Sequence, residues 1–236
     1  MSDGSTVWKG WLSKSQVLLF EKCPYAWYLS KILKLPEMER PELTDGREVH
    51  KILEWVYTIK ERFEDENDLI NVLRQNELFA EHRDQVINFA RVISKISLSK
   101  PVYTEYKIFN SDLGIVGVID RVDNINGEYV ITEYKRRFSS LSFNDNVFEL
   151  SLYAWLFEQE KQTKVNRGAI IYVNNGFLKE VNITDEMKKQ AVMRVRRVRG
   201  EIIRRLANKH FEKREGAYCR YCQFAKYCDV GKRYLK

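Results

Sequence analysis

The four cysteines of this 236-residue chain constrain its fold more than any other feature. Cys219, Cys222 and Cys228 form a C-x2-C-x5-C cluster near the C-terminus, whereas Cys23 lies near the N-terminus. Intracellular thiols stay reduced, so this spacing favours a metal centre over a disulfide framework. Four thiolates suit either a tetrahedral zinc or an iron–sulfur cluster, and an incidental grouping in an aromatic-rich tail is the plain alternative. If the four share one centre, it ties the N-terminal helices to the C-terminal tail.

The composition predicts one folded domain that spans residues 1–236. Hydrophobic residues make up 44% of the chain, and four prolines and eleven glycines are too few for a linker-rich or disordered protein. We expect a helical segment over 1–100, a sheet core over 101–183, and a basic helix with a cysteine tail over 184–236. No run approaches the roughly 20 apolar residues that span a bilayer, and the opening residues lack a leader pattern. We therefore expect a cytoplasmic protein without a membrane partner.

The positive charge is concentrated in the C-terminal fifth of the chain. The net charge is +7, and residues 188–236 contain 16 Lys and Arg against four acidic residues. Such a concentration suits a phosphate backbone, because each neutralised phosphate also releases counterions. A solvated helix face explains the same pattern equally well. Charge alone leaves nucleic-acid binding and a solvated helix as open alternatives.

The hydrophobic periodicity changes from helical to strand-like near Pro101. Capping and stripe patterns predict helices from about 14, from Pro24, around 49–59, and over 67–79 and 84–97. After Pro101, strands are predicted at 102–109, 115–122, 128–135, 168–173 and 177–181, and the last two form a hairpin. Helices are predicted at 144–160 and 185–208. The fold class is therefore α/β (or α+β), with a mixed central sheet flanked by helices.

Two acidic residues and a lysine are predicted to meet on one hairpin. Asp120 ends one strand, and the next strand carries Glu133 and Lys135, which share a face because they are two residues apart. Carboxylates bind Mg²⁺ or Mn²⁺, and a nearby lysine can orient a water molecule near a phosphate. Taken alone, D…E-x-K is a weak motif that also fits a surface strand with alternating charges.

The order of motifs along the chain resembles that of a known nuclease family. The matching segments are Gly46-Arg47-Glu48-Val49-His50, Gly117-x-x-Asp120, Glu133-x-Lys135 and Glu149-x-x-x-Tyr153. They resemble the G-x-x-x-H, G-x-x-D, (D/E)-x-K and Q-x-x-x-Y motifs of the RecB-like branch of the PD-(D/E)XK nuclease superfamily. The four cysteines match as well, and the resemblance covers roughly residues 12–230. Among these nucleases, the chain is most similar to the CRISPR-associated exonucleases, the fourth of the numbered Cas proteins, or to solo and viral relatives.

The resemblance implies a restriction-endonuclease-like αβββαβ core with a defined active site. It makes Asp120 and Glu133 catalytic metal ligands, Lys135 the water-orienting group and His50 a further ligand, with Mn²⁺ or Mg²⁺ as the cofactor. An imidazole ligand favours Mn²⁺ over Mg²⁺. A satisfied helix histidine is the alternative for His50. Glu105 is expected either to face the same site or to be a charged edge-strand residue.

The resemblance also implies roles for the fourth motif and for the cysteines. Glu149 and Tyr153 would contact the DNA strand, although Glu149 replaces the glutamine usual in the family, and a core tyrosine is the alternative for Tyr153. The iron–sulfur ligands would be the four cysteines, Cys23, Cys219, Cys222 and Cys228. A 4Fe–4S cluster is favoured over 2Fe–2S, with a structural rather than a redox role.

These implications favour a metal-dependent deoxyribonuclease that acts on single strands or DNA ends. The expected activity is exonucleolytic, with endonuclease cleavage also compatible, and the expected setting is prespacer processing in CRISPR adaptation. Expected partners are DNA, CRISPR integrase proteins and further copies of the chain. One alternative is a non-catalytic iron–sulfur DNA-binding scaffold that partners an integrase or a helicase. Another is a zinc-stabilised protein-interaction domain, which leaves the D…E-x-K order unexplained.

Overall fold

The computed structural model describes residues 10–38 and 41–235. The chain forms two compact units, one from Met1–Arg40, Asn110–Val116 and Val192–Lys236, and one from Pro41–Phe109 and Gly117–Ala191. The α-helices are α1 (Lys14–Lys22), α2 (Pro24–Lys31), α3 (Pro41–Ile59), α4 (Glu66–Leu73), α5 (Arg83–Ile93), α6 (Ser140–Lys161), α7 (Asp185–Ala207) and α8 (Asp229–Lys232). The strands are β1 (Tyr103–Asn110), β2 (Ile115–Ile125), β3 (Glu128–Lys135), β4 (Arg167–Tyr172) and β5 (Phe177–Asn182). The predicted order of elements is confirmed.

The first two helices begin where the capping residues predict. The Ser13 side chain accepts a hydrogen bond from the Gln16 backbone N–H at 3.4 Å, which satisfies one of the free donors at the start of α1. Pro24 is the first residue of α2, where its missing N–H costs no hydrogen bond. Cys23 lies between the two helices in an extended conformation. The local sequence therefore fixes the position of this cysteine.

The five strands form one mixed sheet in the order β1-β2-β3-β4-β5. Strands β2 and β3 pair as an antiparallel hairpin, and β4 and β5 form another. Strand β4 runs parallel to β3, which the intervening helix α6 makes possible, since parallel neighbours need a crossover. The predicted mixed sheet flanked by helices is confirmed. Helix α6 begins at Ser140, earlier than predicted, because Ser139 supplies the extended residue that precedes it.

The core of the second unit joins helices α3, α4 and α5 to the sheet. Buried side chains of all three helices pack in one cluster with Tyr134, Ile171 and Val173. Val49, Ile52, Leu53 and Val56 are buried as predicted, but Ile59 is 52% exposed because α3 ends at that residue. Helices α4 and α5 end at Leu73 and Ile93, short of the predicted ends. This core positions α3 beside β3.

Helix α7 begins as its sequence predicts, but its arginines do not all face outward. Thr184 accepts a hydrogen bond from the Met187 backbone N–H at 3.2 Å. Arg197 is 68% exposed, whereas Arg194 is half-buried, and both form ion pairs with Glu21, at 2.7 and 2.6 Å. Part of the basic charge is therefore neutralised within the first unit. Among the described residues, no helix combines the length and apolar character that a membrane crossing requires.

Candidate active site

Asp120 and Glu133 lie side by side on the β2–β3 hairpin. Arg121 pairs with Thr132, and the same register places Asp120 opposite Glu133. The Asp120 backbone N–H donates to Glu133 Oε1 at 3.3 Å, and the Tyr134 backbone N–H donates to Asp120 Oδ2 at 2.7 Å. Both carboxylates are at least nine-tenths buried. The predicted meeting of these two acidic side chains is confirmed.

Lys135 lies between two buried carboxylates. Its Nζ is 3.0 Å from Glu133 Oε2 and 2.8 Å from Oε2 of Glu149, which lies near the middle of α6. Burial lowers the pKa of Lys135, but the charges of Glu133, Glu149 and Asp120 together raise it above its ordinary value. The neighbouring carboxyl groups therefore favour the ammonium form of Lys135, which donates hydrogen bonds.

Three carboxyl groups, those of Asp120, Glu133 and Glu149, share the site with the single lysine Lys135. Burial raises the pKa of Asp120 above its ordinary value, against the opposing charges of His50 and Lys135. Burial also raises the pKa of Glu133 well above its ordinary value, and repulsion from Asp120 and Glu149 adds to this effect. A cation placed among these oxygens would offset the repulsion. The donor set of carboxylate oxygens is the kind that hard divalent cations prefer.

His50 reaches the same site from helix α3. Its Nδ1 lies 3.5 Å from Asp120 Oδ1 and 3.6 Å from Glu105 Oε1. The ligand atoms of these three residues lie within 4.8 Å of one another, so the trio could hold a metal ion. Burial lowers the pKa of His50, but the hydrogen bond to Glu105 and the charge of Asp120 raise it overall. Glu133 lies outside this trio, because its oxygens accept hydrogen bonds from Asp120 and Lys135.

The backbone of β1 turns Glu105 toward this site. Glu105 has a φ of 46°, which is uncommon for a residue other than glycine and marks a local irregularity in the strand. Its side chain contacts His50 rather than facing solvent alone. Glu105 was expected either to face the site or to be a charged edge-strand residue, and the structure favours the first alternative. Sequence periodicity carries no signal for such a backbone conformation.

Glu149 and Tyr153 contact protein groups and are buried. Glu149 is 3% exposed and pairs with Lys135, and Tyr153 is 5% exposed. The Tyr153 ring packs on the β2 backbone at Gly117, where an added Cβ would lie 2.4 Å from a ring carbon. The glycine of the second motif and the tyrosine of the fourth are therefore a packing pair. Contact of Glu149 and Tyr153 with DNA stays a prediction.

A buried hydrogen-bond network beside the site was not predicted from the sequence. Arg121 is fully buried and donates to both oxygens of Asp123, at 2.6 and 2.7 Å. It also donates to the Tyr57 hydroxyl at 2.6 Å and to the Ser99 carbonyl at 3.2 Å. Tyr57 lies two turns after His50 on α3, so this network fixes that helix against β2. Arg121 and Asp123 are two residues apart in β2 and therefore share a face of the strand. This Arg-x-Asp spacing is the sequence signal that could have predicted the ion pair.

The four cysteines line one pocket in the first unit and form no disulfide. Cys23 and Cys222 pack with apolar side chains, and the rings of Tyr25, Tyr218 and Tyr227 cover them. Burial raises the pKa of the Cys222 thiol. Burial also raises the pKa of Tyr218, and the nearby thiols add to the effect. Aromatic rings therefore pack around Cys23 and Cys222, and a shared metal centre at these cysteines stays a prediction.

The residue types of the cysteine pocket suit more than one kind of metal centre. A tetrahedral zinc with bonds of about 2.3 Å holds its sulfurs roughly 3.8 Å apart. Within residues 10–38 and 41–235, no trio of ligand atoms within 4.8 Å of one another includes a cysteine. The four cysteines line one pocket, and four thiolates suit an iron–sulfur cluster as well as a zinc ion.

Comparison with known proteins agrees with the fold. The model of the PD-(D/E)XK nuclease superfamily matches residues 11–229. A crystal structure of a "Putative exonuclease" from Eubacterium rectale is similar, with a TM-score of 0.54, 12% identity, and coverage of 99% of this chain and 91% of the other. The crystal structure of SSO0001 has a TM-score of 0.48 and 17% identity, with coverage of 97% and 89%. A search of the curated proteins finds no match.

The family match includes every residue of the site described above. It spans α1 to the last cysteine and therefore more than half of the chain. The five-stranded mixed sheet and the carboxylates on the β2–β3 hairpin agree with it. The chain belongs to the PD-(D/E)XK nuclease superfamily.

Proposed function

We propose that this protein is a metal-dependent deoxyribonuclease that cleaves single strands or DNA ends. The observation that carries the proposal is the buried pair of Asp120 and Glu133 beside the Lys135 ammonium. Buried like charges are costly, and they are retained where a cation or a reacting group compensates them. The superfamily match supplies the reaction class. A scaffold without catalysis would gain nothing from keeping these charges buried.

Four side chains of the site would bind the divalent cation. His50, Asp120 and Glu105 supply one nitrogen and two oxygen donors, and Glu133 supplies further oxygens beside them. A divalent cation bound there would lower the pKa of water and neutralise charge on the phosphodiester. The nitrogen donor favours Mn²⁺, and Mg²⁺ suits the oxygens.

Lys135 and Glu149 act as an orienting pair in this proposal. The ammonium form of Lys135, which the neighbouring carboxyl groups favour, would donate a hydrogen bond to water or to phosphate. Glu149 holds the ammonium at 2.8 Å and limits its rotation. A glutamine at this position would contact the Lys135 ammonium through its neutral amide carbonyl. Glu149 contacts the same ammonium through a carboxylate oxygen. Glutamate and glutamine have side chains of the same length, so the substitution changes the charge beside Lys135.

We also propose that Cys23, Cys219, Cys222 and Cys228 hold a 4Fe–4S cluster. The shared pocket, the aromatic cover and the resemblance of the cysteine pattern to the iron–sulfur nucleases support this assignment. The role of the centre is structural, because it joins α2 to the C-terminal tail. Closing so long a loop stabilises a fold by several kcal/mol when the centre is treated as a crosslink.

The resemblance to CRISPR-associated exonucleases suggests a biological setting. Trimming of prespacer ends before integration needs a DNA nuclease that works from an end, and integrase proteins would then be its partners. The order of the four motifs and the four cysteines supports this setting. Co-purification of the chain with an integrase, and cleavage that stops at a fixed length in its presence, would test it. Indiscriminate degradation with the integrase present would contradict it.

The test of the main proposal is a cleavage assay with end-labelled DNA. Purified wild-type protein is incubated with single-stranded and duplex substrates in chelator, in Mg²⁺ and in Mn²⁺. We expect no cleavage in chelator, and shortened products with either cation. Cleavage in chelator would overturn the metal dependence. Binding without cleavage under all conditions would favour the DNA-binding scaffold.

A further inference from the structure

An exposed group of aromatic rings lies next to the candidate active site. We name it the aromatic platform and define it by Phe138, Phe143, Tyr172 and Phe177. The Phe138 ring lies 5.3 Å from Tyr172, 5.6 Å from Phe177 and 6.3 Å from Phe143. Tyr172 is buried, whereas Phe138 is 43% and Phe177 is 37% exposed. The platform therefore has a buried base and an exposed rim.

The sheet places this platform directly beside Lys135. Tyr172 pairs with Lys135 in the parallel register of β3 and β4. A pocket between the end of β3 and the start of α6 is lined by Lys135, Arg136, Arg137, Ser142 and Asn146. Phe138 follows Arg137 in the chain, and Phe143 follows Ser142. Asn146 of this pocket donates a hydrogen bond to the Tyr172 hydroxyl at 3.3 Å, which connects the pocket to the base of the platform.

Hydrogen bonds hold the platform in place. The Phe138 backbone N–H donates to Asn175 Oδ1 at 2.9 Å. The pairing of β3 with β4 continues past the strand ends, since the Asn174 N–H donates to the Arg136 carbonyl at 2.9 Å. The segment that carries Phe138 is therefore pinned to the β4–β5 turn. Rigid rings of this kind bind a partner with little loss of conformational freedom.

The charges around the platform identify the partner that fits it. Arg137 lines the adjoining pocket, and Lys179 Nζ lies 5.8 Å from the centre of the Phe143 ring. An apolar protein surface would have to bury these cations, which is costly. A single nucleic-acid strand offers flat bases for the rings and phosphates for the cations. Paired bases in a duplex do not expose their faces.

We propose that the aromatic platform stacks unpaired bases of the strand that enters the site, so that single-stranded nucleic acid is the substrate. This inference rests on the proposed nuclease function and deepens it. A base on Phe138 would place its neighbouring phosphate at the pocket that contains Lys135. Stacking of one base on an aromatic ring contributes about 1–3 kcal/mol, which corresponds to at least about fivefold in affinity.

The first test compares the kinetics of a platform variant and a control variant. The double variant Phe138→Leu, Phe177→Leu removes the exposed rings and keeps their apolar contacts. The control is Phe109→Leu, because Phe109 is 65% exposed on β1. We expect the platform variant to raise KM for single strands about fivefold or more, with kcat little changed, and the control to match wild type. Equal KM values for the two variants and wild type would overturn the proposal.

The second test separates stacking from catalysis. The variant Glu133→Gln is mixed with a single strand that contains 2-aminopurine, whose fluorescence falls when the base stacks. We expect the fluorescence of 2-aminopurine to fall when Glu133→Gln binds the strand. We expect no such decrease when Phe138→Leu and Phe177→Leu are added to this variant. If the fluorescence is quenched but the wild-type protein cleaves no substrate, the nuclease proposal is contradicted and base stacking on the platform is supported. Cleavage by wild type with no quenching, or a change of oligomeric state in the platform variant, would overturn the platform.

Discussion

Lys135 and Glu149 form a buried ion pair, with 2.8 Å between Nζ and Oε2. Glu149 stands where the motif that the sequence resembles usually has glutamine. A side chain of the same length at position 149 can hold the lysine whether or not it is charged.

The first prediction concerns Glu149. Glu149→Gln keeps a carbonyl oxygen beside Lys135, so we expect cleavage within about tenfold of the wild-type rate. Glu149→Ala removes the contact, and a misplaced lysine should lower kcat by roughly 100-fold. Single-turnover cleavage rates measure both effects. An alanine variant as active as the glutamine variant would show that Glu149 does not position Lys135.

The second prediction concerns the packing of Gly117 on Tyr153. Gly117→Ala forces a Cβ to 2.4 Å from the Tyr153 ring, and we expect a loss of about 1–3 kcal/mol in the free energy of unfolding. Gly200→Ala is the control, because nothing lies within 4 Å of its Cβ and alanine favours the helix. Denaturant unfolding measures both. The double variant Gly117→Ala, Tyr153→Leu should recover part of the loss, and failure to do so would remove the packing explanation.

The third prediction concerns the pH dependence of stability without metal. The pKa of Glu133 is raised well above its ordinary value, mainly by burial. The folded state therefore keeps a proton that the unfolded state releases, and stability falls as pH rises from the ordinary carboxyl pKa through the raised one. In chelator, we expect the melting temperature to decrease as the pH rises above the ordinary range of a carboxyl pKa, and to decrease less in Glu133→Gln.

Addition of Mn²⁺ provides the counterpart of this pH test. A cation must displace the proton from the carboxyl groups, so its stabilising effect should grow as pH rises. Thermal melts with and without Mn²⁺ at several pH values measure it. The same pH slope in wild type and Glu133→Gln would show that the raised pKa of Glu133 does not control stability.

The fourth prediction concerns the cysteine pocket. If all four thiols hold one cluster, Cys23→Ala should destabilise the protein as strongly as Cys222→Ala, although the two residues are nearly 200 positions apart. Both variants should lose iron and acid-labile sulfide together and become protease-sensitive near the C-terminus. Full cluster content in Cys23→Ala would exclude that residue as a ligand. Zinc in anaerobically purified wild type would contradict the iron–sulfur assignment.

The sequence predicted those parts of the fold that depend on local patterns. The Ser13 cap, Pro24 at the start of α2 and the β2–β3 hairpin follow from capping and strand propensities, and the structure contains each of them. The hairpin in turn predicted that Asp120 and Glu133 meet. Each of these features is encoded within a few neighbouring residues.

Other features depend on distant parts of the chain and left no local signal. The left-handed backbone of Glu105 and the Arg121–Tyr57 hydrogen bond arise from tertiary packing, which periodicity does not encode. The burial of Tyr153 depends on the lack of a side chain at Gly117, 36 positions earlier. Such contacts join residues whose separation in sequence hides their closeness in space.

The most direct test of the central claim compares two acidic residues of β3. Glu133 is buried beside Asp120 and Lys135, whereas Glu128 is exposed at the other end of the same strand. Cleavage of a labelled single strand in Mn²⁺ is measured for Glu133→Gln and for the control Glu128→Gln. We predict that Glu133→Gln abolishes cleavage while folding and DNA binding persist, and that Glu128→Gln cleaves at the wild-type rate. Cleavage by Glu133→Gln at the wild-type rate would contradict the proposed active site.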